Sequence, residues 1–171
     1  MPSSEDFLIS DSLYKYNTSY IYGEIDGQSM KQILDTIFPN SLGQECYRFI
    51  DIGSGCGDLC AFIDMHFGFY VCGTEIDVNR FQKSLNHESN KIEFVNDTFE
   101  NLYFGNYDIL YCCNIVFSIE DNIVLYNKIK REFVGFVFLF DYNNILLPFY
   151  KKTFLVQTSW CKNVNLHLFI I

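Results

Sequence analysis

Between residues 27 and 38 the sequence GQSMKQILDTIF sets apolar side chains at Met30, Ile33, Leu34 and Ile37. That is the i, i+3, i+4, i+7 spacing of one helix face, so a helix is predicted over this stretch. Pro39 and the polar run NSLGQE break the pattern. Short apolar runs then alternate with helical ones. CYRFIDI (46–52) reads as a buried strand, and a helix follows from Leu59 until Gly68. YVCGTEID (70–77) is a second strand, followed by a helix over 78–85, and KIEFVND (91–97) is a third. YDILYCCN (107–114) is a fourth, IEDNIVLYNKIKREF (119–133) a helix and VGFVFLFD (134–141) a fifth. After NNILLPFYKK, the β-rich runs TFLVQTSW (153–160) and NVNLHLFII (163–171) sit close enough together to form a hairpin.

Strands that are apolar throughout and alternate with helices predict a parallel sheet covered on both faces. The terminal hairpin adds an antiparallel strand, giving an α/β fold with a seven-stranded, mostly parallel sheet. The opening residues are polar and rich in tyrosine (Tyr14, Tyr16, Tyr20, Tyr22) without a clear period. Residues 1–22 are therefore expected to form an arm or lid, and 23–171 the folded domain.

Composition narrows the class. At 171 residues, with 49% apolar side chains, 18 Phe and 12 Tyr, the chain can bury one ordinary core. The seven cysteines are odd in number and scattered, without zinc spacing, so they are expected to be reduced thiols and no metal is expected. The start, MPSSEDFLISDSLYKYN, has neither the basic flank nor the apolar core of a secretory signal. The apolar stretch 133–140 is far shorter than the roughly 20 residues of a membrane span. An intracellular protein of the cytoplasm or nucleus, with no membrane contact, is expected. The net charge of −9 argues against direct nucleic-acid binding and favours a basic partner.

The chemistry concentrates at the strand ends. FIDIGSGCGD (49–58) puts Gly53, Gly55 and Gly57 at alternate positions behind a buried strand, with Asp51 before them. Glycines there let a ligand approach the backbone closely. The third glycine comes one residue earlier than in the dinucleotide spacing. The D-x-G-x-G-x-G form suits a ligand with a charged amino-acid end and a ribose rather than a pyrophosphate. Glu75, about 20 positions after the loop, is placed to accept ribose hydroxyls. Asp97 and Phe99, after the third strand, are placed to hold an adenine. Together these strand ends read as a site for S-adenosylmethionine.

Beyond the loop, Y-G-E at 22–24, the run YDILYCCNIVFSIEDNIVLYNKIKREF and the terminal SWCKNVNLHLFII resemble the Dot1-type lysine methyltransferases. The likeness covers nearly everything from Tyr20 onward. It implies the Rossmann-like class I methyltransferase fold, S-adenosyl-L-methionine as cofactor, and methyl transfer to the amine of a protein lysine. By the same resemblance Glu24 lines the methionine end of the cofactor, beside Asp51, Gly53, Gly55, Gly57, Glu75, Asp97 and Phe99. Asn114 and Phe117 lie at the transfer site, and Trp160 walls a channel for the lysine. The chain departs from the family in having Cys113-Asn114 where two asparagines stand, and Leu166 where an aromatic stands on the last strand. It also lacks the basic segments of nucleosome-binding members. The implied substrate is thus a basic protein or peptide, histones included, with an RNA or small-molecule acceptor, or a non-catalytic binding role, as the alternatives.

Overall fold

A computed structural model describes residues 24–39 and 47–171. The expected arm, the tyrosine cluster and Tyr22-Gly23 of the Y-G-E segment lie outside these residues. Helix α1 is Gly27–Ile37, capped by the Asp26 carboxylate, which accepts the Ser29 amide at 3.1 Å. Strand β1 (Arg48–Ile52) leads through the glycine loop into α2 (Asp58–Phe67), which stops at the left-handed Gly68. Then come β2 (Tyr70–Thr74), α3 (Val78–Ser84) and β3 (Ile92–Val95). Only short 3-10 turns, Phe99–Asn101 and Phe104–Asn106, separate β3 from β4 (Ile109–Cys112). Helix α4 (Ile119–Glu132), β5 (Phe136–Leu139), β6 (Tyr150–Val156) and β7 (Val164–Ile170) complete the domain.

The seven strands form one sheet in the order β3-β2-β1-β4-β5-β7-β6. The β1–β5 pairings are parallel, and β7 runs antiparallel to both β5 and β6. The expected sheet is thus the observed one. The strand from TFLVQTSW sits earlier than its sequence run, because a 3-10 turn over Leu147–Phe149, containing Pro148, delivers the chain into β6 at Tyr150. Gln157 to Asn163 are left as the turn between β6 and β7.

Alternate residues of each strand feed two cores. Phe49, Tyr111 and Phe138 face α1 and α2, with Leu34 and Ile63 among them. Ile50, Leu110 and Val137 face Leu125 and Ile129 of α4. The sheet is therefore held from both sides, while the C-terminal ends of β1, β2 and β4 carry the loops. Asn114 ties the end of β4 to the end of β5. Fully buried, it donates to the Asp141 carbonyl (2.9 Å), the Asn122 amide oxygen (2.7 Å) and the Tyr126 hydroxyl (3.0 Å). Its own oxygen accepts the Phe140 and Asp141 amides at 3.0 and 3.1 Å. One side chain so fixes the turn after β4 against β5 and α4.

The Phe94 ring fills the notch beneath the glycine loop. A Cβ on Gly57 would lie 2.6 Å from its Cζ, and one on Gly73 would lie 2.6 Å from its Cδ1. Gly73→Ala should therefore destabilise the domain by about 1–3 kcal/mol through overpacking. Adding Phe94→Leu should recover part of that loss, and a double-mutant cycle by chemical denaturation should show non-additivity of about 0.5 kcal/mol or more. Strict additivity would mean that the ring does not set the need for glycine.

Candidate functional site

The glycine loop folds over the end of β2. The Gly53 and Ser54 amides both donate to the Thr74 carbonyl, at 2.8 and 2.9 Å. Gly53, Gly55 and Gly57 have φ of +78°, +57° and +87°, a region in which side chains are strained. A Cβ on Gly53 would meet nothing within 4 Å, so this side of the loop faces open space. Helix α2 has Gly57 at its N-cap and no side-chain cap, so no side chain claims its first amides.

Glu75 holds the loop in place. Its Oε2 accepts the Gly55 amide at 3.0 Å, while Oε1 accepts the Asp77 amide at 2.8 Å and pairs with Arg80 Nη2 at 3.0 Å. Each carboxylate oxygen has two lone-pair sites, so Oε2 retains capacity for a further donor. Ile76, next in sequence, is 61% exposed and offers an apolar ledge beside it. Its place directly after a strand-end acid is a signal the sequence carries.

Glu24 arrives from far away in the sequence. Its amide donates to Ser159 Oγ at 3.1 Å, and the Ser159 amide donates to the Glu24 carbonyl at 2.8 Å. Ile25 forms an antiparallel bridge with Thr158. The β6–β7 turn thereby brings Trp160 next to Glu24, with the indole set edgewise against Phe140 at 5.8 Å. Within the core, Asp51 is 3% exposed and receives only a long Cys60 thiol contact at 3.7 Å. Burial pushes its carboxyl up to about 8, and the negative charges of Glu24 and Glu75 add to the rise against the Cys60 contact. Burial likewise pushes Glu24 up to about 7, helped by Asp58.

Asp97 is anchored at the β3 end, its Oδ1 accepting the Thr98 amide (2.7 Å) and Asn101 Nδ2 (2.8 Å). The Thr74 hydroxyl donates to its carbonyl at 2.7 Å, which joins the ends of β2 and β3. Phe99 and Phe117 lie nearly parallel, with ring centroids 5.8 Å apart. The structure thus brings together Glu24, Asp51, the three glycines and Glu75, then Asp97 with Phe99 and Phe117 further along the strand ends. Asn114 is placed differently from an exposed catalytic amide, since both ends of its side chain are engaged inside the protein.

Three buried polar atoms have no hydrogen-bond partner and belong to this region: Glu24 Oε1, Ser54 Oγ and the Tyr111 hydroxyl. Tyr111 is paired in register with Asp51 across β4 and β1, and the Ile25 amide stands beside its hydroxyl without reaching bonding geometry. In the sequence Tyr111 reads simply as a strand residue. Among the described residues no group of three or more His, Cys, Asp or Glu side chains could hold a metal. Cys56, Cys60, Cys72, Cys112, Cys113 and Cys161 are all free thiols. A separate cavity of about 190 Å³ opens at the other end of the sheet, among Arg48, Tyr70, Lys91 and Tyr107. It belongs to the N-terminal strand ends, away from the glycine loop.

The Asp51 carboxyl gives a stability prediction. Its folded pKa of about 8 exceeds the ordinary 3.8, so the folded state binds the proton more tightly than the unfolded chain does. Stability from this group is full in acid and is lost as pH rises through the interval up to about 8. Asp51→Asn should remove that loss. The ligand-free variant should melt higher than the parent above pH 8 and close to it in acid, and equal melting curves at alkaline pH would contradict the assignment.

No family model matches the chain, and no curated protein matches it. Solved structures do. An RNA methyltransferase from Salinibacter ruber, in complex with S-adenosyl-L-homocysteine, is similar at a TM-score of 0.63 and 15% identity, over 82% of this chain and 91% of that one. A phosphoethanolamine N-methyltransferase from Haemonchus contortus, in complex with S-adenosyl-L-methionine, matches at 0.53 and 24% identity, over 66% of this chain and 27% of that one. A cyclopropane synthase from Mycobacterium tuberculosis matches at 0.54 and 13% identity, over 72% and 49% respectively. The chain therefore spans nine-tenths of the first structure but only about a quarter and a half of the other two. In its strand order, its antiparallel β7 and its helices on both faces, the chain has the Rossmann-like fold of class I S-adenosylmethionine-dependent methyltransferases.

Proposed function

We propose that the protein is an S-adenosylmethionine-dependent methyltransferase whose acceptor is the amine of a lysine in a basic protein or peptide, as in the Dot1-type enzymes. The observation that carries the reading is the pairing of Glu24 with Ser159. It joins the Y-G-E segment to the S-W turn, and so draws two distant stretches of the Dot1 resemblance into one place beside Asp51. No helix among the described residues is long and apolar enough to cross a membrane.

The residues present fit the cofactor. Open space in front of Gly53 admits a ligand against the loop backbone, and Glu24 Oε1 and Ser54 Oγ are buried atoms in want of partners. Glu24 and Asp51 take the cationic methionine end, Glu75 Oε2 accepts from the ribose, and Asp97 with Phe99 and Ile76 borders the base. When bound, S-adenosylmethionine supplies an electrophilic methyl group on a sulfonium. The chain then has to bring the amine in neutral and in line, with water kept out. Phe117 and Trp160 supply apolar walls that disfavour a charged ammonium, lowering the pKa of an entering lysine. Asn114 serves as a positioning residue: it holds the β4 and β5 ends in register, which fixes Phe117 and Phe140 around the channel. The negative charge of the protein attracts a basic acceptor and repels phosphate.

Binding and transfer are tested separately. Gly53→Ala should leave a folded domain, strained by about 1 kcal/mol at its positive φ, whose added methyl points into the cofactor space. Glu75→Ala should weaken S-adenosylmethionine at least tenfold, about 1.4 kcal/mol. Calorimetric affinities equal to the parent in both folded variants would remove this loop as the cofactor site. With labelled cofactor, methylation of free histones or lysine-rich peptides should exceed that of nucleosomes and of RNA, and should fall as salt screens the attraction. Preferential labelling of nucleosomes would overturn the charge argument, and preferential labelling of RNA would replace the lysine acceptor. Cofactor binding with no transfer to any acceptor would point to a binding protein that has kept the fold.

A further inference from the structure

Carboxyl groups outnumber cations at this site, and buried polar atoms there stand without partners. From the segment before α1 comes Glu24, with Oε1 buried and unpartnered. From β1 comes Asp51, 97% buried, with one thiol contact. The end of β2 adds Glu75, already neutralised by Arg80 and two backbone amides. The first turns of α2 contribute Asp58 and the Cys60 thiol, β4 contributes Tyr111, and the residue after β4 is Cys113. Tyr111 is 3% exposed, and its hydroxyl lies among Asp51, Cys113 and the Ile25 amide with no hydrogen-bond partner. Arg80 is the basic group bonded to this carboxyl set, and it is committed to Glu75.

A buried carboxylate with no counter-charge is costly, so such groups neutralise by holding protons. We propose that Glu24, Asp51 and the Tyr111 hydroxyl form a proton-exchanging receptor for the cationic end of S-adenosylmethionine, which loses protons to solvent when the cofactor enters and regains them when it leaves. The inference rests on the function proposed above and adds to it a role for Tyr111 and a coupling of cofactor affinity to pH. The cofactor's ammonium and sulfonium replace the protons as the positive charge beside the two carboxylates. The carboxyl O–H bonds break, the protons pass to buffer, and charge inside the site is conserved to within the exchange. Tyr111 donates its hydroxyl hydrogen to the carboxylate formed at Asp51, which supplies the partner that the hydroxyl lacks in the ligand-free protein.

The sign follows from the direction of both shifts. Glu24 and Asp51 titrate near 7 and 8, so at neutral pH the ligand-free site carries about one exchangeable proton. Affinity for a cationic ligand should rise with pH and level off above about 8, once both groups are ionised without help. At low pH the protons compete with the cofactor and affinity should fall.

The test is titration calorimetry of the whole chain with S-adenosylmethionine at neutral pH, in phosphate and in an amine buffer. The two buffers take up protons with different heats. The expected result is a binding heat that depends on buffer with a slope of about one proton released per cofactor. Glu24→Gln should lower that slope measurably while the variant still binds. Tyr111→Phe should weaken binding several-fold and shift the pH profile of affinity, which loss of packing alone would not do. Melting curves of each variant without ligand report whether it folds, and the parent slope stands by itself if one does not. Binding with no buffer dependence would overturn the inference and leave the methyltransferase reading intact. Failure to bind either S-adenosylmethionine or S-adenosylhomocysteine would overturn that reading first.

Discussion

The site depends on one electrostatic constraint: carboxyl groups from three separate elements are drawn into a pocket that holds too little positive charge. Asp51 lies at the end of a central strand, Glu75 at the end of its neighbour, and Glu24 on a segment pinned by the β6–β7 turn. Only Glu75 is compensated, by Arg80 and by the Gly55 and Asp77 amides. Burial leaves the other two favouring their protonated forms. A protein assembled for stability alone would place a lysine or an apolar side chain there. The uncompensated charge makes sense as readiness for a cation.

The scaffold exists to keep these groups in register. Two hydrophobic layers clamp the sheet, so the strand ends cannot drift, and the glycine loop is fastened to β2 by the Thr74 carbonyl and by Glu75. Asn114 performs the matching task on the other side, joining β4, β5 and α4 through its single amide. The β6–β7 turn carries Ser159 and Trp160 back to the start of the domain.

Most of the architecture was legible because its signals are local. The α1 stripe of Met30, Ile33 and Leu34 is buried as its spacing implies, and the glycines adopt the positive φ that their clustering suggests. The start of β6 lies earlier than its sequence run, since β propensity in TFLVQTSW conceals the effect of the 3-10 turn that contains Pro148. At the site, the positions of Asp51, Glu75, Asp97 and the glycines follow from their order along the strand ends, whereas Glu24 came only from the Y-G-E resemblance. Tyr111 could not be read in either way, because its importance lies in a missing partner across the β1–β4 pairing, and no spacing encodes that. The resemblance sets Asn114 at the transfer site, and its five side-chain bonds inside the protein are visible only once the residues around it have been placed.

Observation of the Glu24 and Asp51 side-chain carboxyl carbons by NMR, over a pH titration with and without S-adenosylmethionine, addresses the central claim most directly. The account predicts midpoints near 7 and 8 for the ligand-free protein, both moving well down when the cofactor is bound. Ordinary carboxylate midpoints that stay unchanged on adding the cofactor would contradict it.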